Sequence, residues 1–249
     1  MNTQIQKCLS SLQSRRIKGI FAENIKEACQ IILTLFPVDA VVGIGDSTAV
    51  KQMDILRQLK DRGTRILDPF EKQENIKDAK QAEQKRRKIQ EEATISDVFI
   101  TGTNAITQDG RLVNMDAAGN RVAGMVWGHP LSIVVVGKNK IVRNLDEAFH
   151  RIRNIIAPTH VRIRSSELGG RKRQSPCAIT GECSDCRSTD KICNILTIIE
   201  GKPSRTDINV VIVNEDMGLG FDPAWPEARI TNILNNYKKF VWIPPIIER

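Results

Sequence analysis

Four of the six cysteines, Cys177, Cys183, Cys186 and Cys193, crowd into one short stretch. Thiolates are soft metal ligands, and two of them three residues apart in a turn converge on one centre. The flanking pair lies close enough to complete a four-sulfur set. Thr180-Gly181-Glu182 and Ser184-Asp185 between them are turn formers, as wrapping a site requires. Zinc ribbons usually show two close pairs, whereas here one pair stands between two outliers. A cubane iron–sulfur cluster tolerates such spacing, although it commonly follows denser runs. The basic residues Arg162, Arg164, Arg171, Lys172 and Arg173, against the single acid Glu167, lead into the segment and would offset thiolate charge. Cys8 and Cys29 lie in helical patterns, and Cys29, beside Ala28 and Ile32, reads as a small core residue.

A second chemistry is suggested by two polar loops. In Val42-Gly43-Ile44-Gly45-Asp46-Ser47-Thr48 a strand runs through glycines into a helix start, where backbone N–H groups and the helix dipole favour an anion. It is neither a dinucleotide fingerprint nor a Walker loop, and a plain tight turn with a serine cap is the competing reading. Thr101-Gly102-Thr103-Asn104 ends a later strand and brings small polar groups to the same kind of position. The candidate ligand-binding residues are therefore Gly43, Gly45, Asp46, Ser47, Thr48, Thr101, Gly102, Thr103 and Asn104, with Lys140 as a counter-charge. Their expected ligand is a small anionic metabolite, with Asp46 placing an opposing carboxylate at the mouth. His129, His150 and His160 read as structural, and no serine sits in a nucleophile elbow.

Strands alternating with helices must position these loops. Asn24 with Glu27 forms a capping box for a helix that Pro37 ends. Ala40 to Ile44 is a buried strand, and Ser47 or Thr48 caps a helix running to Gly63. Thr64 to Leu67, Asp97 to Thr101 and Leu131 to Gly137 read as further strands, with a polar helix over Lys77 to Glu92. Gln108 to Arg111 turns a hairpin into Leu112 to Met115. Asn144 caps a helix to about Ile156, Ile195 to Glu200 and Ile208 to Val213 are strands, and a last helix spans Pro226 to Tyr237. The pattern predicts one α/β domain over residues 1–249, a mainly parallel sheet with helices on both faces. The cysteine segment, residues 175–194, reads as an insertion.

The net charge of +8 raises the question of nucleic acid. Lys85-Arg86-Arg87-Lys88 is interspersed with acids and reads as a solvated helix face, and neither basic run is interleaved with aromatic stacking platforms. Nucleic acid is therefore a minor expectation. No apolar run reaches the roughly 18 residues of a membrane span, and the first residues lack a signal-peptide core. The chain reads as cytoplasmic, where cysteines persist as thiols or ligands.

Several of these segments together resemble the LUD-domain (lactate utilisation) family. They are the Gly-x-Gly-x-Ser turn, Thr101 to Asn114, the strand ending Val136-Gly137-Lys138-Asn139-Lys140, Arg151 to Pro158, and Val213-Asn214-Glu215-Asp216-Met217-Gly218. The resemblance implies a fold like that of the ribose-phosphate isomerase, glucosamine-phosphate deaminase and CoA-transferase group, which binds phosphorylated or CoA-linked substrates across two such loops. Thr103-Asn104 stands where those isomerases carry an Asp-Glu pair, so their general base is missing. Glu215, ahead of Gly218 and Gly220, resembles the CoA-transferase nucleophile in place. The family's association with iron–sulfur partner proteins favours a [4Fe–4S] cluster over zinc at the cysteines and implies a redox-linked role. The alternative is a non-catalytic binding or assembly module with a structural zinc site. Whether the chain is an enzyme stays open.

Overall fold

The computed structural model describes residues 2–71 and 78–244. The first half runs α1 (Thr3–Ser14), β1 (Lys18–Ala22), α2 (Ile25–Leu35), β2 (Val42–Ile44), α3 (Thr48–Gln52), α4 (Ile55–Asp61), β3 (Ile66–Leu67) and α5 (Ala79–Ala93). Next come β4 (Val98–Gly102), β5 (Ala105–Thr107), β6 (Leu112–Asp116), α6 (Asn120–Val126), β7 (Leu131–Gly137) and β8 (Ile141–Val142). Then follow α7 (Leu145–Arg151), α8 (Ala157–Arg162), α9 (Pro176–Ile179), β9 (Ile195–Ile199), β10 (Asp207–Val213) and α10 (Glu227–Phe240). Among the described residues, no helix is long and apolar enough to cross a membrane.

A strand covered on both faces must be apolar at every position, and β7 and β10 are apolar nearly throughout. They pair in parallel in the interior of a six-stranded sheet ordered β1-β10-β7-β4-β2-β3. Every pairing in it is parallel, so all six strands end on one edge. Ile133 and Val135 point into a core with α2, α3 and α4, whereas Val134 and Val136 point into a second core with α1. α5 and α6 pack on that second side, against β2 and β4. The expected sheet with helices on both faces is present.

The second core also holds a smaller sheet, ordered β8-β5-β6-β9, which the sequence did not show as a separate layer. Its far side, through Ala105, Val113 and Val142, packs on Ala148, Ile152 and Ile156 of the helix that follows β8. That helix does not stop near Ile156. π-helical turns at Ile152–Ile156 and Ile163–Glu167 carry it through α7 and α8 to Glu167. Pro158 has no N–H for the preceding turn, and the widened π turn just before it accommodates the missing bond. The helix expected between Ser47 and Gly63 is broken into α3 and α4 where Asp54 takes a left-handed φ of 53°. The polar helix begins at its Asp78 cap, and Lys77 lies outside the described residues.

Caps match the sequence closely. Asn24 Oδ1 accepts from Glu27 N, although Glu27 reaches back to Glu23 N, one residue before the cap. Asn144 caps α7 through Glu147 N, and Ser47 rather than Thr48 caps α3 through Val50 N.

Candidate functional site

Cys177 lies in α9 and the other three cysteines in the irregular chain that runs to β9. All four thiols are free, and all four line one cavity together with Arg153, Ser175, Asp185 and Lys191. Asp185, between Cys183 and Cys186, takes a left-handed φ of 47°, which folds the pair's turn back on itself. Its carboxylate is anchored by Arg153, 3.0 Å away on the long helix, and by Lys191. Asn194 N donates to Asp116 O at 3.0 Å, fixing the far end of the segment to β6. Burial and the charges of Cys177, Cys183 and Cys186 push the Cys193 thiol up to about 11, as expected of sulfurs held near one another in low dielectric. Among the described residues, no three His, Cys, Asp or Glu side chains form a group able to hold one metal ion. The four thiols border a shared cavity without being gathered into a ligand set, and thiolates are the donor type that an iron–sulfur centre would use.

A larger cleft, of about 510 Å³, opens where the strands of the main sheet end. Asp46, Ser47 and Thr48 follow β2, Gly102 ends β4 with Thr103 and Asn104 after it, and Lys140 follows β7, and the cleft brings all seven together. Gly43, Gly45 and Thr101 lie behind its wall. The Gly45 N–H is already bonded to Ile100 O at 3.0 Å, and a Cβ there would sit 2.5 Å from Thr101 Oγ1. A Cβ on Gly43 would meet Ala93 O of α5 at 2.2 Å. These glycines permit close packing of backbone, and the tight-turn reading accounts for them. Asp46 is neutralised locally by Lys51, whose Nζ is 3.0 Å from it.

The cleft is rich in cations that the sequence did not single out as ligands. Arg121, on α6, is its hub. The guanidinium donates to Asp116 and Asn104 side chains, to Asn114 Oδ1 at 2.7 Å, and to the carbonyls of Gly102 and Met115. Arg164 and Arg173, from the basic stretch before the cysteines, also face the cleft. Among the described residues, Lys140, Arg164 and Arg173 make no ion pair with a carboxylate. Lys140 Nζ donates to Thr103 O at 2.9 Å, and burial, with the Arg121 charge beside it, lowers its pKa to about 7. Arg86 is the one member of its basic run that turns inward. It pairs with Glu83 and lies over the Trp242 ring, while Lys85, Arg87 and Lys88 stay exposed.

His160 and Tyr237 complete the wall. His129 instead stacks on Phe99 away from it. Glu215 is also elsewhere, its Oε1 accepting from Ile25 N at the start of α2, so that carboxylate is a helix cap. Cys193, Ile192 and Ala157 line both the cleft and the four-cysteine cavity, which makes the two spaces neighbours.

A profile of the LUD domain matches residues 5–213. A solved DUF162 family protein from Deinococcus radiodurans is 12% identical, the match covering 84% of this chain and 96% of that one at a TM-score of 0.43. No curated protein matches the chain. The profile takes in most of the sequence, including the main sheet, both cleft loops and all four clustered cysteines, and the chain belongs to the LUD-domain family.

Proposed function

We propose that this LUD-domain protein binds a small anionic metabolite in the cleft at the sheet edge, directly beside a [4Fe–4S] cluster held by Cys177, Cys183, Cys186 and Cys193. The observation that carries this reading is the shared wall, since Cys193 and Ile192 border both spaces. Lys140, Arg164 and Arg173 supply positive charge in a partly enclosed site, where it attracts an anion more strongly than on the open surface. Four thiolates around one cavity can hold a multi-iron centre, and Arg153 and Lys191, which also pair with Asp185, line the same cavity. Such a cluster supplies one-electron transfer when bound. The protein then works in the reducing cytoplasm, exchanging electrons with iron–sulfur partner proteins.

Anaerobic purification followed by iron, sulfide and zinc determination tests the cofactor. Iron with equivalent sulfide, lost together in each of the four Cys→Ser variants, is the expected result. Zinc without iron would leave the structural-module reading, and full metal content in the four variants would remove the site altogether.

A further inference from the structure

The cleft contains a buried chain of polar side chains that a simple cradle for an anion does not require. Tyr237 of α10 is 4% exposed, and its hydroxyl meets His160 Nδ1 from α8. On the other side of the imidazole, Arg164 Nη1 lies 3.0 Å from His160 Nε2. All three residues line the cleft. A guanidinium has donors and no acceptor, so Nε2 must be the accepting nitrogen of the ring. A neutral imidazole that accepts at Nε2 carries its proton on Nδ1. Burial and the charges of Arg164, Arg173 and Arg121 hold the ring neutral, with its pKa lowered to about 3. Nδ1–H therefore donates to the Tyr237 oxygen. The hydroxyl's own proton is left to point away from the histidine, towards Thr48, whose side chain hydrogen-bonds the phenol at the edge of the cleft with the Asp46 carboxylate nearby.

We propose that Tyr237 donates a hydrogen bond to an oxygen of the bound anion, held in donor orientation by the chain from Arg164 through His160. The positive end of that chain is Arg164, so each link polarises the next towards the ligand. Because the phenol is fixed as a donor, the ligand must present an acceptor oxygen at that point, as a carboxylate or phosphate does. A ligand amine there would leave two donors facing each other. The proposal rests on the cleft being an anion site, with Tyr237 touching the ligand and His160 and Arg164 as the positioning residues behind it.

Tyr237 is the only tyrosine in the chain, which gives the test a direct reading. Tyrosine labelled with ¹³C at the ζ carbon yields one resonance, followed while oxalate or inorganic phosphate is titrated into the metal-loaded protein. The expected result is a shift of that resonance on saturation, with binding on the order of tenfold or more weaker in Tyr237→Phe. Arg173→Gln removes a cleft cation outside the chain, and its weakening of the same probe places the probe in the cleft. If the probe binds in an Arg173-dependent way while the resonance stays put and Tyr237→Phe binds within twofold of the parent, Tyr237 is not the donor and the anion site stands. The resonance is read on the parent protein, so this holds even where Tyr237→Phe folds poorly. Failure of both probes to bind, or binding indifferent to Arg173→Gln, would overturn the anion site and this inference with it.

Discussion

Replacing Arg121 with Met removes the group that joins α6, the β4 loop and β6. Asp116, its ion-pair partner, is 7% exposed, and Asp116 Oδ2 also accepts from Val122 N. Without the guanidinium, among the described residues, that carboxylate is a buried charge left with one backbone amide. Breaking one side of a buried ion pair costs about 3–5 kcal/mol, because the remaining charge stays uncompensated. The acceptors Gly102 O, Asn104 Oδ1, Asn114 Oδ1 and Met115 O also lose a donor, but Arg121 borders the cleft and water can reach some of them. The expected loss is therefore about 3–5 kcal/mol rather than the sum of every bond. Urea denaturation gives the value from the shift in midpoint at constant slope. Adding Asp116→Asn removes the stranded charge and should recover a substantial part of the loss. A loss below about 1 kcal/mol in the single variant would refute the reasoning, as would a double variant no more stable than the single.

Lys140→Met tests the neighbouring amine. A lysine whose pKa is about 7 folded and near 10.5 unfolded binds fewer protons in the native state across that interval, so its contribution to stability rises with pH between the two values. The stability advantage of Lys140→Met over the parent should accordingly be greatest below about pH 7 and shrink towards pH 10.5, and a difference flat across pH would contradict the assignment. Anion binding should weaken in the parent as pH rises through the range where Lys140 loses its charge, and calorimetry across pH reads this directly. Gly45→Val crowds Thr101, and overpacking of this kind costs typically about 1–3 kcal/mol. An unchanged melting temperature would mean that Gly45 is not there for packing.

The parallel sheet was legible because its strands are continuous apolar runs and the helices between them carry their own caps. Asn24, Ser47 and Asn144 are each followed by an amphipathic stretch, and each is a cap in the structure. The small sheet was harder to read. β5 and β8 are two or three residues long, and β9 pairs with β6 across roughly eighty residues of chain, so neither leaves a local period. The helix from Asn144 was legible only to about Ile156, because sequence does not display the π turn that carries it on through Pro158. The glycines before Asp46 point equally to an anion cradle and to close packing, and only the position of Thr101 and Ala93 against them separates the two. The four cysteines and seven cleft residues were visible through their types and spacing. Arg121, His160 and Tyr237 were not assigned to the cleft, since a lone arginine, histidine or tyrosine in a helix has no local signal of what it faces. The surplus of arginine before Cys177 was the one available sign, and Arg164 and Arg173 turn out to face the cleft.

The central claim is that ligand and cluster are neighbours. Electron paramagnetic resonance of the reduced, anaerobically purified protein, recorded with and without saturating oxalate, tests it most directly. The expected result is an iron–sulfur signal whose g values shift when oxalate fills the cleft beside Cys193. A protein that holds no iron–sulfur centre, or a signal that does not move while oxalate is bound, would contradict it.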